Sequence, residues 1–229
     1  AELLAVAGLV GFWLWSIQPM FEDFYYAIYR GAGHHHAVGQ MWNAWWIAEV
    51  LRSPDHALLY CDALNTPLGA RVLAHDVAFT HVALSAVLRD TLGPVGSVNA
   101  VFVGTYIFGL LGTYTLLRRI HPGRILCAIT AIIAVVFVMT VRPAYADLEL
   151  SDLGWLAFAL AAWLTLLRQN NGAWRVVTGL LIGATAVAQM YYGLVAAVVL
   201  GIAAIAAPLK VRPEPKPFQN VLFLSGTAL

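Results

Sequence analysis

VNAVFVGTYIFGLLGTYTLLRRIHPGRILCAITAIIAVVFVMTV, residues Val98–Val141, decides how this chain is read. Two charge-free runs, 98–117 and 125–141, flank a short loop that holds Arg118, Arg119 and Arg124. A helix rises about 1.5 Å per residue and satisfies its own backbone hydrogen bonds, so about 20 mostly apolar residues cross the hydrocarbon layer. Both runs fit that length. They predict two membrane-crossing helices joined by a basic turn.

The same pattern extends outward. Residues 153–167 and 176–209 are also free of charge, with Asp152 and Arg168 at the ends of the first. The second is too long for one ordinary crossing, and Gln189-Met190-Tyr191-Tyr192-Gly193 interrupts it with polar and aromatic residues. It is therefore read as two short helices. With an apolar run at about 3–20, this gives six helices, the others at 98–117, 124–141, 152–168 and two within 176–208. The first lacks a basic leader and a small-x-small cleavage site, so it reads as retained rather than as a signal peptide. Val221 to Leu229 reads as the start of a further span in a longer protein.

Composition agrees. Mean hydropathy is +0.76 and 11% of residues are charged, against about a quarter in soluble domains. A net charge of +1 gives no basic stripe for nucleic acid. Cys61 and Cys127 fall in a polar loop and an apolar helix, without Cys-x-x-Cys or zinc-like spacing. No span holds an interior charge of the kind that marks an ion or proton path.

Orientation follows from the basic residues. Arg118, Arg119 and Arg124 flank one loop, Arg168 and Arg175 another, and Lys210, Arg212 and Lys216 a third. With the N-terminus inside, all of these lie on the cytoplasmic side, as the positive-inside tendency requires. The expected fold is all-α: a polytopic transmembrane bundle with a long extracytoplasmic loop. Its parts are a first helix at 1–20, an outer loop at 21–97, a bundle at 98–208 and a basic cytoplasmic segment at 209–229. The expected location is a bacterial inner membrane.

The outer loop holds Glu22, Asp23, Glu49, Asp55, Asp62, Asp76 and Asp90 and all the histidines but His121. It opens with Phe21-Glu22-Asp23-Phe24-Tyr25-Tyr26, where a carboxylate would meet a lipid-linked substrate; the same acids could simply end the helix in water. Gln40 to Leu51 reads as an amphipathic helix whose Trp42, Trp45 and Trp46 suit the headgroup layer, or stacking on a sugar or isoprenoid. Val72–Leu88 contains His75, Asp76 and His81 and reads as a second, membrane-hugging helix, spanning about 72–90. His34, His35 and His36 are consecutive and point in different directions, so they supply one metal ligand at most or a pH-sensitive patch. His81 reads as a packed polar residue. Asp147, Glu149 and Asp152 lie in the outer loop before the 152–168 helix. Facing Glu22 and Asp23 across a cavity, they would suit a base with a helper carboxylate or a divalent metal site. They would equally suit a plain acidic loop. No cofactor is otherwise indicated.

This layout resembles the GT-C superfamily of integral membrane glycosyltransferases, especially protein O-mannosyltransferases and their bacterial relatives. Phe21-Glu22-Asp23-Phe24-Tyr25-Tyr26-Ala27-Ile28-Tyr29-Arg30 looks like that family's acidic motif after the first helix. Thr66-Pro67-Leu68-Gly69-Ala70-Arg71 looks like its outer-loop turn, and Leu92-Gly93-Pro94 follows the second outer helix. Trp42-Asn43-Ala44-Trp45-Trp46 and Ser97-Val98-Asn99-Ala100 resemble a bacterial subgroup. The resemblance implies a polyprenyl-phosphate sugar donor and inverting attack by an acceptor hydroxyl. Asp23, or its neighbour Glu22, would be the catalytic acid, with a second carboxylate at Asp147 or Glu149. Arg30 or Arg71 would pair with the departing phosphate, or anchor the loop to anionic lipid. Trp42 and Trp46 would complete a substrate surface.

A different class of function fits the same residues. A shortened chain of this fold would serve as a structural subunit of an energy-transducing or photosynthetic membrane complex. Gly179, Gly183 and neighbouring alanines would then pack against partner subunits.

Overall fold

A computed structural model describes residues 2–16, 18–25, 34–53, 55–57, 60–61, 68–71, 79–141, 153–169 and 171–206. Seven α-helices are described: α1 (Glu2–Ser16), α2 (His34–Arg52), α3 (Phe79–Ile120), α4 (Arg124–Val141), α5 (Leu153–Gln169), α6 (Gly172–Ala188) and α7 (Met190–Ala206). A short 3₁₀ turn, Gln18–Phe21, follows α1. Strands β1 (Tyr60–Cys61) and β2 (Ala70–Arg71) pair antiparallel, Tyr60 opposite Arg71 and Cys61 opposite Ala70. The chain divides into two units, Ala1–Leu194 and Val195–Leu229; the described part of the second is helical as far as Ala206.

By length and composition one described helix, Phe79–Ile120, could cross a membrane, and the other apolar helices fall short of that measure. This helix is not straight. Gly93 has φ 72° and ψ 172°, a conformation open to glycine and strained for any residue with a Cβ, and Pro94 follows it. Twelve residues to either side of Gly93, His81 Nε2 lies 2.8 Å from Thr105 Oγ1. Along a continuous helix those two positions would be about 36 Å apart. The element is therefore a fold-back hairpin, with a first arm of 79–92 and a second of 94–120. The second arm alone is about 40 Å long.

The hairpin corrects one expectation from the sequence. The helix foreseen at about 72–90 as an outer, membrane-hugging element begins its described part at Phe79 and packs along the second arm. His81, Val82, Ser85 and Ala86 form its buried stripe. Residues spaced three and four apart fall on one face of a helix, which is why these four turn inward together.

Other helices gather on the second arm. Leu9 and Trp13 of α1 join Val98, Phe102, Tyr106, Leu110 and Tyr114, with Cys127, Ala131 and Val135 of α4 closing the cluster. The Trp13 and Tyr106 rings meet at a tilt of 30°, with 4.9 Å between centroids. On another side α5 crosses at glycines. A Cβ on Gly112 would lie 2.8 Å from the Gly154 carbonyl oxygen, and one on Gly154 would lie 2.9 Å from the Phe108 backbone. Small residues let the two backbones touch, and Phe108 packs edge-on against Trp155 beside the crossing.

Local chemistry ends the helices. His121-Pro122-Gly123 stops α3, since proline cannot continue it. Arg118 Nη1 donates to the carbonyls of His121 and Pro122 at 3.0 and 2.6 Å. Arg168 Nη2, at the end of α5, donates to the Arg119 carbonyl at 2.5 Å. Arginines that the sequence presents as loop charges thus also bond carbonyls: Arg168 takes one in the last turn of α3, and Arg118 takes two in the turn just past it. Asn171 caps α6 by accepting from Trp174 N at 2.9 Å. The foreseen split of the long apolar run falls at Gln189, whose backbone is extended (φ −153°, ψ 117°).

Candidate functional site

The acidic pair sits on a turn that other elements hold in place. After the 3₁₀ turn, residues 22–25 form a turn that exposes both Glu22 and Asp23. Asn99, 1% exposed on the second arm, donates from Nδ2 to the Phe24 carbonyl at 2.7 Å. Phe24 meets the Tyr25 ring edge-on at 5.3 Å and stacks with Phe21 at 5.9 Å. The Tyr25 ring lies so close to Gly96 that a Cβ there would come within 2.8 Å of it. A glycine and a buried amide on the hairpin thus dock the turn just past Gly93. Both carboxylates face solvent, free to meet a ligand in the surrounding medium.

A second group of residues reaches the same end of the hairpin. Arg52, in the last turn of α2, bonds Asp90 of the first arm and also Glu49 at 3.2 Å. The arginine ties α2 to the hairpin next to Gly93. These ion pairs are largely exposed, so they contribute little to stability.

The tryptophans of α2 divide into two roles. Trp46 is 2% exposed, packed with Cys61, parallel to Trp42 at 6.5 Å and against His56 at 5.1 Å. Trp42 is half-buried. Trp46 therefore acts as core, locking α2 to the β1–β2 ladder, and Trp42 is the one of the two with ring surface left open. Tyr60 Oη donates to the Leu68 carbonyl at 2.5 Å, which closes that ladder.

The other foreseen site residues stand as follows. Only the backbone of Arg71 is described, in β2. Arg30, Asp147 and Glu149 lie outside the described residues. The His34-His35-His36 run opens α2. Among the described residues, no group of three or more His, Cys, Asp or Glu side chains could hold a metal ion.

Several residues of the site were not singled out from the sequence: Gly96, Arg52 with Asp90, and Thr105. Asn99 was noted only as part of a short motif. The available signal was a lone amide at the head of a charge-free run, where a buried polar group needs a hydrogen-bond partner. Nothing local identifies that partner, which is 75 residues away.

Comparison of the chain with protein-family models, with curated proteins and with solved structures finds no match for it.

Proposed function

We propose that this chain is the membrane-embedded N-terminal part of a glycosyltransferase that moves a sugar from a polyprenyl-phosphate donor to an acceptor hydroxyl outside the cytoplasm. The observation that carries the reading is the Asn99–Phe24 hydrogen bond, which holds an exposed acidic pair at the end of an apolar hairpin. Asp23 takes the acceptor proton and orients the nucleophile, with Glu22 beside it. The GT-C-like order of acidic turn, tryptophan helix and Gly-Pro break supports the same reading.

The polytopic bundle belongs to this proposal. Large apolar side chains are exposed on α1 (Trp15), α4 (Ile125, Ile133), α6 (Leu180, Val187) and α7 (Ile202). Faces of this kind, on helices without interior charge, suit acyl chains. In this reading the end of the bundle that carries the arginines of α3 and α5 faces the cytoplasm of a bacterial inner membrane, and the positive-inside tendency supports that orientation.

The test is transfer by the full chain, reconstituted in vesicles with a radiolabelled polyprenyl-phosphate sugar and hydroxyl acceptors. Asp23→Asn is expected to lower the rate by about 100-fold or more, and Glu22→Gln by less. Absence of transfer, together with purification in fixed ratio with other membrane proteins, would sink the enzyme and leave a structural subunit.

A further inference from the structure

The first arm of α3 carries a polar stripe that the acidic turn does not use. His81, Ser85 and Arg89 recur at four-residue steps, which places them along one face of the helix. His81 and Ser85 are 2% and 3% exposed. Arg89 is partly buried, and its Nη1 is buried with no hydrogen-bond partner among the described residues. The adjacent carboxylate, Asp90, is taken by Arg52 and lies about 100° around the helix from Arg89.

A guanidinium stays charged, offers five N–H donors and accepts nothing. Burying one of its nitrogens without an acceptor is costly, and an oxyanion removes that cost by accepting from the planar fork. Arg89 precedes Gly93 by four residues, and Gly96, which receives Tyr25, follows it by three. Arg89 and the acidic turn therefore belong to the same end of the hairpin. Glu22 and Asp23 are exposed, where water and salt screen their repulsion of an incoming anion.

We infer that Arg89 is an oxyanion receptor that takes a phosphate group at the folded end of the α3 hairpin. The inference rests on the membrane-bundle part of the reading above, which sets this end in the headgroup layer, and not on sugar transfer. The phosphate is that of a lipid headgroup or free phosphate, and the two sources separate by experiment.

The full chain is purified in dodecyl maltoside, which contains no phosphate, and its thermal unfolding is followed with three additives. These are dioctanoyl phosphatidic acid, dioctanoylglycerol as its phosphate-free counterpart, and inorganic phosphate. Phosphatidic acid is expected to raise the midpoint and dioctanoylglycerol to leave it unchanged. Arg89→Gln should weaken the apparent affinity by about tenfold or more, with Arg89→Lys in between because an ammonium lacks the planar fork. Equal protection by inorganic phosphate supports the receptor and assigns free phosphate as its source. Protection by neither phosphate compound overturns the inference. So does an unchanged response in both variants, or a loss of ligand-free stability in Arg89→Gln with its phosphate response intact. Alkaline extraction of the chain from native membranes separately tests the membrane reading; if that fails, the inorganic-phosphate arm still decides Arg89.

Discussion

His81 and Thr105, 24 residues apart in one helical element, meet at 2.8 Å inside the protein. Thr105 Oγ1 donates to the Val101 carbonyl at 2.8 Å, so it accepts from the imidazole N–H, and the histidine tautomer is set accordingly. The pair ties the two arms of the hairpin near the open end of their shared length, twelve residues from Gly93 on each side. Thr105→Val keeps the volume but removes the acceptor from a buried imidazole. We expect a loss of about 1–3 kcal/mol in unfolding free energy, read from denaturant titration in detergent.

The fold-back itself is open to a distance measurement. Spin labels at Leu84 and Gly104 would sit about 30 Å apart on a continuous helix. Leu84 is exposed, and Gly104 has room for a side chain. Pulsed electron resonance is expected to return a distance under about 20 Å, given helix axes about 8–10 Å apart. A distribution centred near 30 Å would mean that the helix is continuous.

Gly93→Ala tests the turn. No atom lies within 4 Å of a Cβ at this position, so the cost comes from its positive φ alone. A destabilisation of about 1–3 kcal/mol is expected. At Gly154 the cost has a different origin, because an alanine Cβ would meet the Phe108 backbone. Gly154→Ala should therefore be the more damaging of the two, and a lower midpoint for Gly93→Ala would contradict the crossing geometry.

Asn99→Ala should release the acidic turn without removing a carboxylate. Amide hydrogen exchange across residues 22–25 is expected to accelerate, with α1 and α4 unaffected. If transfer activity is established, the same variant should lower it while Asp23 and Glu22 remain. Unchanged exchange would show that the turn holds itself.

Cys61 and Cys127 are both buried, and both should resist alkylation in the folded chain. Trp46→Ala removes the ring that covers Cys61. The variant should expose Cys61 to maleimide while Cys127 stays protected, and lose about 3–5 kcal/mol of stability. Equal labelling of both thiols would instead report general unfolding.

The sequence by itself determined the helices and most of their ends. A charge-free apolar run, the His121-Pro122-Gly123 stop and the polar interruption at Gln189 are local features, and helix formation and termination depend on neighbours within a few residues. The tertiary structure alone decided which of these residues meet. Gly93-Pro94 is legible as a break, but the break does not state its angle. Only the fold-back brings His81 to Thr105, makes the 79–92 stretch a packed arm instead of a surface helix, and lets Asn99 hold Phe24. The tryptophans of α2 make the same point: three rings in five residues announce an aromatic helix, and packing against Cys61 is what separates buried Trp46 from the more open Trp42. Periodicity fixes the face on which a side chain lies. What that face touches depends on close backbone approach between distant segments, as at Gly112 and Gly154, and no local pattern encodes it.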